Sequence, residues 1–108
     1  MILSTTEAVA GRTVLETLGM VRGTTVRARH VGRDISALLS NIVGGEVTDY
    51  TKLLAEAREQ ALDRMRAEAL ALGADAVVGL RFSANQISAG CAEILVYGTA
   101  VRLAPQGE

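Results

Sequence analysis

The spacing of apolar residues predicts strands at both ends of the chain and helices in the middle. Residues 13–31 contain the β-branched positions Val14, Val21, Val26 and Val31, which are typical of strands. Because glycine is a common turn residue, the break at Arg22-Gly23-Thr24 predicts a hairpin that turns at Gly23. Alternation along its second strand puts Arg27 and Arg29 on one face, which indicates solvent or the rim of a subunit.

Two helices are predicted next. A short helix is indicated between Asp34, which can cap its first turn, and Gly44-Gly45, which can end it, because the apolar residues between them have helical spacing: Ile35, Leu38, Leu39 and Ile42. A long helix is predicted from about Asp49 to Leu72, with Gly73 just beyond its end. Its expected buried stripe, which includes three alanines for close packing, is Tyr50, Leu54, Ala57, Ala61, Met65, Ala69 and Leu72.

The last third of the chain predicts a second hairpin, with its turn near Ala89-Gly90. A period of two places Val78, Leu80 and Phe82 on one face of the first strand. By the same period, one face of the second strand carries Leu95, Tyr97, Thr99 and Val101. Glycines inside these strands, at 79 and 98, predict a bulge or a close backbone approach. With residues 1–7 as a strand or ordered arm, the expected fold is α+β in ββααββ order: a small antiparallel sheet packed by one short and one long helix, in a single domain of residues 1–108.

Composition narrows the class of protein. The 108 residues are 49% apolar but only 3% aromatic, so the core must consist of small aliphatic side chains and gains if partner subunits cover exposed surface. A net charge of −1 without a basic stripe argues against nucleic acid binding. One cysteine and no apolar run of 18 residues predict a cytoplasmic protein without a disulfide or a membrane span.

Several short segments occur in a characteristic order. They are Arg33-Asp34-Ile35, Asn41-Ile42-Val43-Gly44-Gly45-Glu46, Tyr50, Leu53-Leu54, Ala57-Arg58, Ala61, Met65, Leu72-Gly73-Ala74-Asp75-Ala76-Val77-Val78-Gly79 and Tyr97-Gly98-Thr99-Ala100-Val101. As a set they closely resemble the bacterial YbjQ family over nearly the whole chain, with Asp75 where that family often has Asn. The resemblance implies a dodecin-like subunit, assembly into a cyclic homopentamer and a family label of heavy-metal binding.

The residue types that hold soft metals are scarce. Such sites need three or four thiolate or imidazole ligands, and the chain has one of each, Cys91 and His30, without CxxC or HxxxH spacing. In a ring, either residue would recur once per subunit and several copies could converge on the axis. An isolated cysteine is more often a small buried hydrophobe. The carboxylates of Asp34, Glu46 and Glu93 are of a type that could supply oxygen ligands to a metal. Their spacing along the chain does not indicate a site.

The polar residues of the family-like segments are predicted to make structural or intersubunit contacts rather than to catalyse a reaction. They are Arg33, Asp34, Asn41, Glu46, Arg58, Glu93 and Tyr97. Arg58 lies at the margin of the helical stripe and needs a carboxylate, for which Glu46, Glu93 and a residue of a neighbouring subunit are candidates. The Tyr97 hydroxyl is expected to donate to a carbonyl. No GxxxxGK[ST] motif accompanies Gly44-Gly45, so a phosphate loop is disfavoured.

These observations together favour a non-enzymatic cytoplasmic homo-oligomer without a cofactor, which acts as a scaffold or binds a small ligand between subunits. The N-terminal arm or the strand of residues 93–103 is expected to make the intersubunit contacts. The alternative is a protein that sequesters a heavy metal in a site built from symmetry-related residues.

Overall fold

The computed structural model describes residues 1–28, 48–88 and 91–106, in which one helix packs on a four-stranded mixed sheet. The elements in chain order are β1 (Ile2–Leu3), β2 (Val14–Ala28), α1 (Thr48–Ala71), β3 (Ala76–Ser88) and β4 (Cys91–Leu103). The strands lie in the order β1-β3-β4-β2. β1 is parallel to β3, whereas β4 is antiparallel to both of its neighbours.

The predicted ββααββ fold with a purely antiparallel sheet is wrong. A single helix lies between β2 and β3 in the described ranges, and the parallel pairing of β1 with β3 makes the sheet mixed. The segment 29–47, which contains the predicted short helix, lies outside the described residues. The second predicted hairpin is confirmed by the antiparallel register of β3 and β4.

The predicted hairpin at Gly23 is also wrong, because β2 runs without a turn for 15 residues. Gly23 lies in the middle of this strand, opposite Val96 of β4. A Cβ atom at position 23 would lie 1.9 Å from the Ala61 carbonyl oxygen and 2.6 Å from the Met65 amide nitrogen. Glycine is therefore present because the backbone of α1 approaches the strand closely here.

The long helix confirms most of its predicted buried stripe. Four residues of that stripe are completely buried: Ala57, Ala61, Met65 and Ala69. Leu54 packs against the same core, whereas Leu72 lies beyond the helix and is 47% exposed. The helix ends at Ala71, close to the predicted Leu72, and Gly73 lies just beyond its end as predicted, with φ +79°. The amides of Gly73 and Ala74 then donate to the carbonyls of Leu70 and Ala69, which satisfies two groups of the last turn.

The two faces of the sheet differ in how they are covered. The face under α1 contributes most of the main core, including Val21, Val77, Leu80, Ile94, Val96 and Ala100. A smaller cluster on the opposite face, packed against Val9 of the N-terminal segment, consists of Ala76, Val78, Val101 and Leu103. α1 lies over β2 and β4. The helix therefore covers one face of the sheet only.

Glycines within β3 and β4 have the predicted effects. Gly79 has φ +63° at a register shift between Val78 and Arg81, so it forms a bulge. Because the bulge interrupts the alternation, Val78 and Leu80 lie on opposite faces, and their predicted common face is wrong. Gly98 permits close approach, since a Cβ atom there would lie 2.6 Å from the Val77 side chain.

The N-terminal residues form the predicted ordered arm along β3. Ser4 donates its amide to the Val77 carbonyl over 2.9 Å and accepts from the Leu80 amide over 3.0 Å, and Gly79 donates to Thr6 over 2.8 Å. These backbone bonds end at Leu80. In the described part of the chain, β3 therefore has no strand neighbour on its outer edge from Arg81 onwards.

Candidate functional site

The face of the sheet opposite α1 carries two arginines on either side of a tyrosine. The strand register places Arg22 of β2 and Arg81 of β3 directly beside Tyr97 of β4, in one row across three strands. On the same face of β2, alternation places Met20 and Val26 along the strand from Arg22. We call these five residues, Met20, Arg22, Val26, Arg81 and Tyr97, the open face.

The open face is exposed and carries two cations, and the half-buried Glu93 lies beside Val26 on the same side of the sheet. Met20 is 63% exposed, Val26 53% and Tyr97 38%, so the face presents an unusual amount of apolar surface. Arg22 and Arg81 are exposed as well, and neither forms a salt bridge within the described ranges. Exposed apolar side chains around unpaired cations are typical of a surface that binds a partner.

Arg81 also connects the open face to the N-terminal arm. Its Nη1 atom donates to the Thr5 carbonyl and to the Leu80 carbonyl, each over 2.8 Å. One guanidinium nitrogen therefore holds the arm against the sheet. These two bonds direct the guanidinium toward the arm.

A cleft of about 510 Å³ lies beside Arg81, between the arm and the sheet. Its lining residues are Glu7, Val14, Thr17, Val78, Gly79, Arg81, Thr99 and Val101. The volume falls within the range of small-molecule sites, about 300–1,000 Å³. One cation, one anion and two hydroxyl groups line it, so the cleft suits a small polar molecule of low net charge.

A second depression, of about 420 Å³, lies on the other side of the molecule, along α1 at the edge of β2. It is lined by Arg27, Ala55, Glu56, Glu59, Gln60 and Asp63. All three of its carboxylates lie on one side of the helix and are exposed. We call Glu56, Glu59 and Asp63 the acidic flank. Asp63 pairs with Arg66 over 2.8 Å, whereas Glu56 and Glu59 have no salt bridge within the described residues.

Arg27, predicted to face solvent or the rim of a subunit, is half-buried. Alternation from Val21 and Gly23 puts it on the face of β2 under α1, where its Nη2 atom donates to Gln60 Oε1 over 2.7 Å. Its Nε atom is buried without a hydrogen bond in the described part of the chain, as is the hydroxyl of Thr25, a residue only 2% exposed. Arg64 adds a bond from Nη1 to the Thr24 carbonyl, so three polar side chains, Arg27, Gln60 and Arg64, hold the helix to this strand.

The residues predicted to hold a metal do not form a site within one chain. Cys91 begins β4, opposite Ala28 and Ser88, and is half-buried. His30 lies outside the described residues. Where the structure describes the chain, no three His, Cys, Asp or Glu residues are grouped so that they could hold a metal ion. The described residues of a single chain therefore do not fit a heavy-metal centre.

The predicted structural and intersubunit residues are only partly described. Arg33, Asp34, Asn41 and Glu46 belong to the segment 29–47, outside the described ranges. Arg58 is exposed on α1, Glu93 is half-buried on β4, and these two form no salt bridge. Tyr97 belongs to the open face, and no hydrogen bond from its hydroxyl occurs among the described residues. The roles of these residues stay predictions.

The arginines of the open face and the carboxylates of the acidic flank were not recognised as sites from the sequence. Once β2 is known to be continuous, alternation from Met20 to Val26 places Arg22 between apolar residues of one face. That signal was present but was hidden by the assumed turn at Gly23. Arg81 had no such signal, because the bulge at Gly79 decides which face it occupies.

No helix among the described residues combines the length and the apolar character needed to cross a membrane. The described helix, α1, is instead rich in charged residues.

Comparison with known proteins finds close relatives over almost the full length. A family model described as "Putative heavy-metal-binding" matches residues 1–104. The chain is 60% identical over 103 residues to a UPF0145 protein from Halorubrum lacusprofundi, covering 95% of this chain and 99% of the relative. It is also 60% identical over 103 residues to a UPF0145 protein from Archaeoglobus fulgidus, covering 95% of each chain.

A solved structure supports the fold. The crystal structure of a protein of unknown function from Pediococcus pentosaceus, which belongs to the DUF74 family, is similar with a TM-score of 0.68. The similarity covers 96% of this chain and 98% of that protein, at 16% sequence identity. At this identity the likeness concerns the fold alone.

Proposed function

The chain belongs to the YbjQ family, and on that premise we propose that it is a non-enzymatic cytoplasmic homo-oligomer that acts as a scaffold or binds a small ligand. The family resemblance implies a cyclic pentamer. The observation that carries the proposal is the open face, where Met20 and Val26 are more than half exposed. In a chain with a small aliphatic core, covering such surface with a partner copy adds stability.

The shape of the subunit supports assembly. Its Cα radius of gyration is 17.8 Å, and its extents are 58 × 25 × 16 Å. A compact domain of this length has a radius of gyration of about 13 Å. The long strands thus extend the subunit, and an elongated subunit leaves more of its sheet to be covered by other copies.

The intersubunit contacts cannot involve the backbone edge of the 93–103 strand. That segment lies in β4, which is paired with β3 on one side and β2 on the other. The N-terminal arm is bonded to β3 of its own chain on one side only, because β1 lies at the end of the strand order. The N-terminal arm, the side chains of the open face and the outer edge of β3 beyond Leu80 are therefore better placed than β4 for contacts between copies.

Native mass spectrometry and sedimentation at micromolar concentration test this proposal. We expect one discrete oligomer, of five copies if the family resemblance holds, at every concentration in that range. A protein that sediments as a monomer throughout would contradict the proposal. If a small molecule binds the cleft beside Arg81, the intact oligomer should carry a mass that is lost on denaturation.

The family description favours a second candidate, a protein that sequesters a heavy metal. Because the described residues of one chain do not form a metal cluster, ligands would have to come from several copies, with Cys91 or His30 repeated around an axis. Elemental analysis of the wild type, Cys91→Ser and His30→Ala proteins after exposure to Cu, Zn and Cd tests it. A wild-type protein that retains none of these metals excludes this candidate.

A further inference from the structure

We propose that the open face of one copy binds the acidic flank of α1 in the next copy, in a head-to-tail contact. This inference rests on the proposed homo-oligomer and specifies which surfaces join. Its starting point is charge: the open face carries two cations, Arg22 and Arg81, and the acidic flank carries three carboxylates. The two surfaces lie on opposite sides of one subunit, since α1 covers the face of the sheet that the arginines do not occupy.

The two charged surfaces have matching dimensions. Arg22 and Arg81 are separated by one intervening strand, so two strand spacings of about 4.8 Å put their backbones roughly 10 Å apart. Glu56 and Asp63 are seven residues apart on the helix, which at about 1.5 Å per residue is also roughly 10 Å. A helix lying across the strands can therefore place a carboxylate near each guanidinium.

Apolar residues accompany the charges on both surfaces. On α1, Ala67 and Leu70 continue the line of Asp63 at steps of four and three residues, and Leu70 is 58% exposed. On the open face, Met20 lies two residues from Arg22. When the acidic flank lies on the arginine row, Leu70 can pack on this exposed apolar surface. Such a contact would bury side chains that a lone subunit leaves in water.

Charge also disfavours a symmetric contact, in which two copies meet through the same surface. If two open faces met, the arginines of one copy would oppose the arginines of the other, and two acidic flanks would repel in the same way. A contact between unlike surfaces leaves one free surface of each kind at the ends of a chain of copies. Such a heterologous contact closes into a ring when the rotation between copies allows it, in agreement with the cyclic assembly proposed above.

Charge reversal with rescue tests the contact. The double variants Arg22→Glu/Arg81→Glu and Glu56→Lys/Asp63→Lys should each raise the dissociation constant between copies by at least about a hundredfold, since each brings like charges together. A chain that carries all four changes restores unlike charges and should assemble again. Native mass spectrometry measures the oligomer, circular dichroism verifies the fold, and Glu68→Lys, an exposed change outside the flank, serves as the control that keeps the wild-type oligomer.

The outcomes separate the inference from the proposed function. A monomeric wild type contradicts both. The inference alone is overturned if the oligomer persists in both double variants. It is also overturned if the chain with all four changes folds but fails to assemble. In either case another occupant covers the open face. If a double variant loses its fold, the milder Arg22→Gln and Glu56→Gln variants replace it. Weakened assembly is expected in each, and unchanged assembly in both overturns the contact.

Discussion

Gly23 is the residue at which helix and sheet come closest, and its replacement gives a sharp test of the fold. In Gly23→Ala, the new Cβ would collide with the backbone of α1 at Ala61 and Met65, which cannot rotate away as a side chain can. We expect a loss of about 3 kcal/mol in the free energy of unfolding, from overpacking. Urea unfolding at fixed protein concentration measures it. Leu15→Thr, at a 56% exposed position of the same strand, should change stability by less than about 0.5 kcal/mol.

Asp75 makes a single side-chain contact that explains why Asn can replace it. Its Oδ2 atom accepts a bond of 2.8 Å from the amide of Leu103, a residue only 5% exposed. Asp75→Asn keeps an acceptor oxygen and should be nearly neutral, whereas Asp75→Ala leaves a buried amide unpaired, at about 1–3 kcal/mol. Urea midpoints and amide exchange at Leu103 measure the difference. Equal stability of the two variants would show that this bond is unimportant.

At the scale of elements, the alanine stripe of α1 determines how closely the helix packs. Ala61 is completely buried, and its carbonyl faces Gly23. Ala61→Glu puts a carboxylate where it has neither water nor a partner, which should destabilise the fold by several kcal/mol. Ala71→Glu, at the exposed last residue of the same helix, is the matched control and should change the free energy of unfolding by less than about 1 kcal/mol. If both variants are equally stable, the stripe is not the packing surface.

The sequence predicted α1 well because its signals agree. Apolar spacing, alanine content and the terminal glycine all indicate the same helix, and the strands of the second hairpin alternate clearly. The prediction of the first hairpin was wrong because a glycine in a β pattern has two explanations, a turn or the close approach of another backbone. The residues around Gly23 do not distinguish the two. The pairing of β1 was unpredictable for another reason: two residues contain too little pattern to fix a partner or a direction.

The candidate site was less predictable than the fold, since it depends on register. Arg22, Tyr97 and Arg81 are far apart in sequence, and only strand pairing places them in one row. The bulge at Gly79 decides the face of Arg81, and alternation alone cannot locate a bulge. The acidic flank was visible as a charged helix side, which is normally solvated. Its significance comes from the opposite charge on the other side of the subunit, a relation that requires coordinates.

At the scale of the whole molecule, fold stability and assembly should be coupled. An elongated subunit with an exposed apolar face gains stability from its neighbours, so the unfolding equilibrium must depend on protomer concentration. Each tenfold rise in protein concentration should raise the free energy of unfolding by roughly 1 kcal/mol per protomer. With a typical urea dependence of about 1–3 kcal/mol per M, the urea midpoint should then rise by roughly 0.5 M.

The Arg22→Glu/Arg81→Glu variant provides the comparison for this coupling. Without its contact to the next copy it should unfold at one midpoint whatever the concentration, and that midpoint should lie below every wild-type value. Identical midpoints for the wild type across a hundredfold concentration range would mean that the subunit is stable alone. The exposed Met20 and Val26 would then have to be tolerated in water, because no partner copy would be covering them.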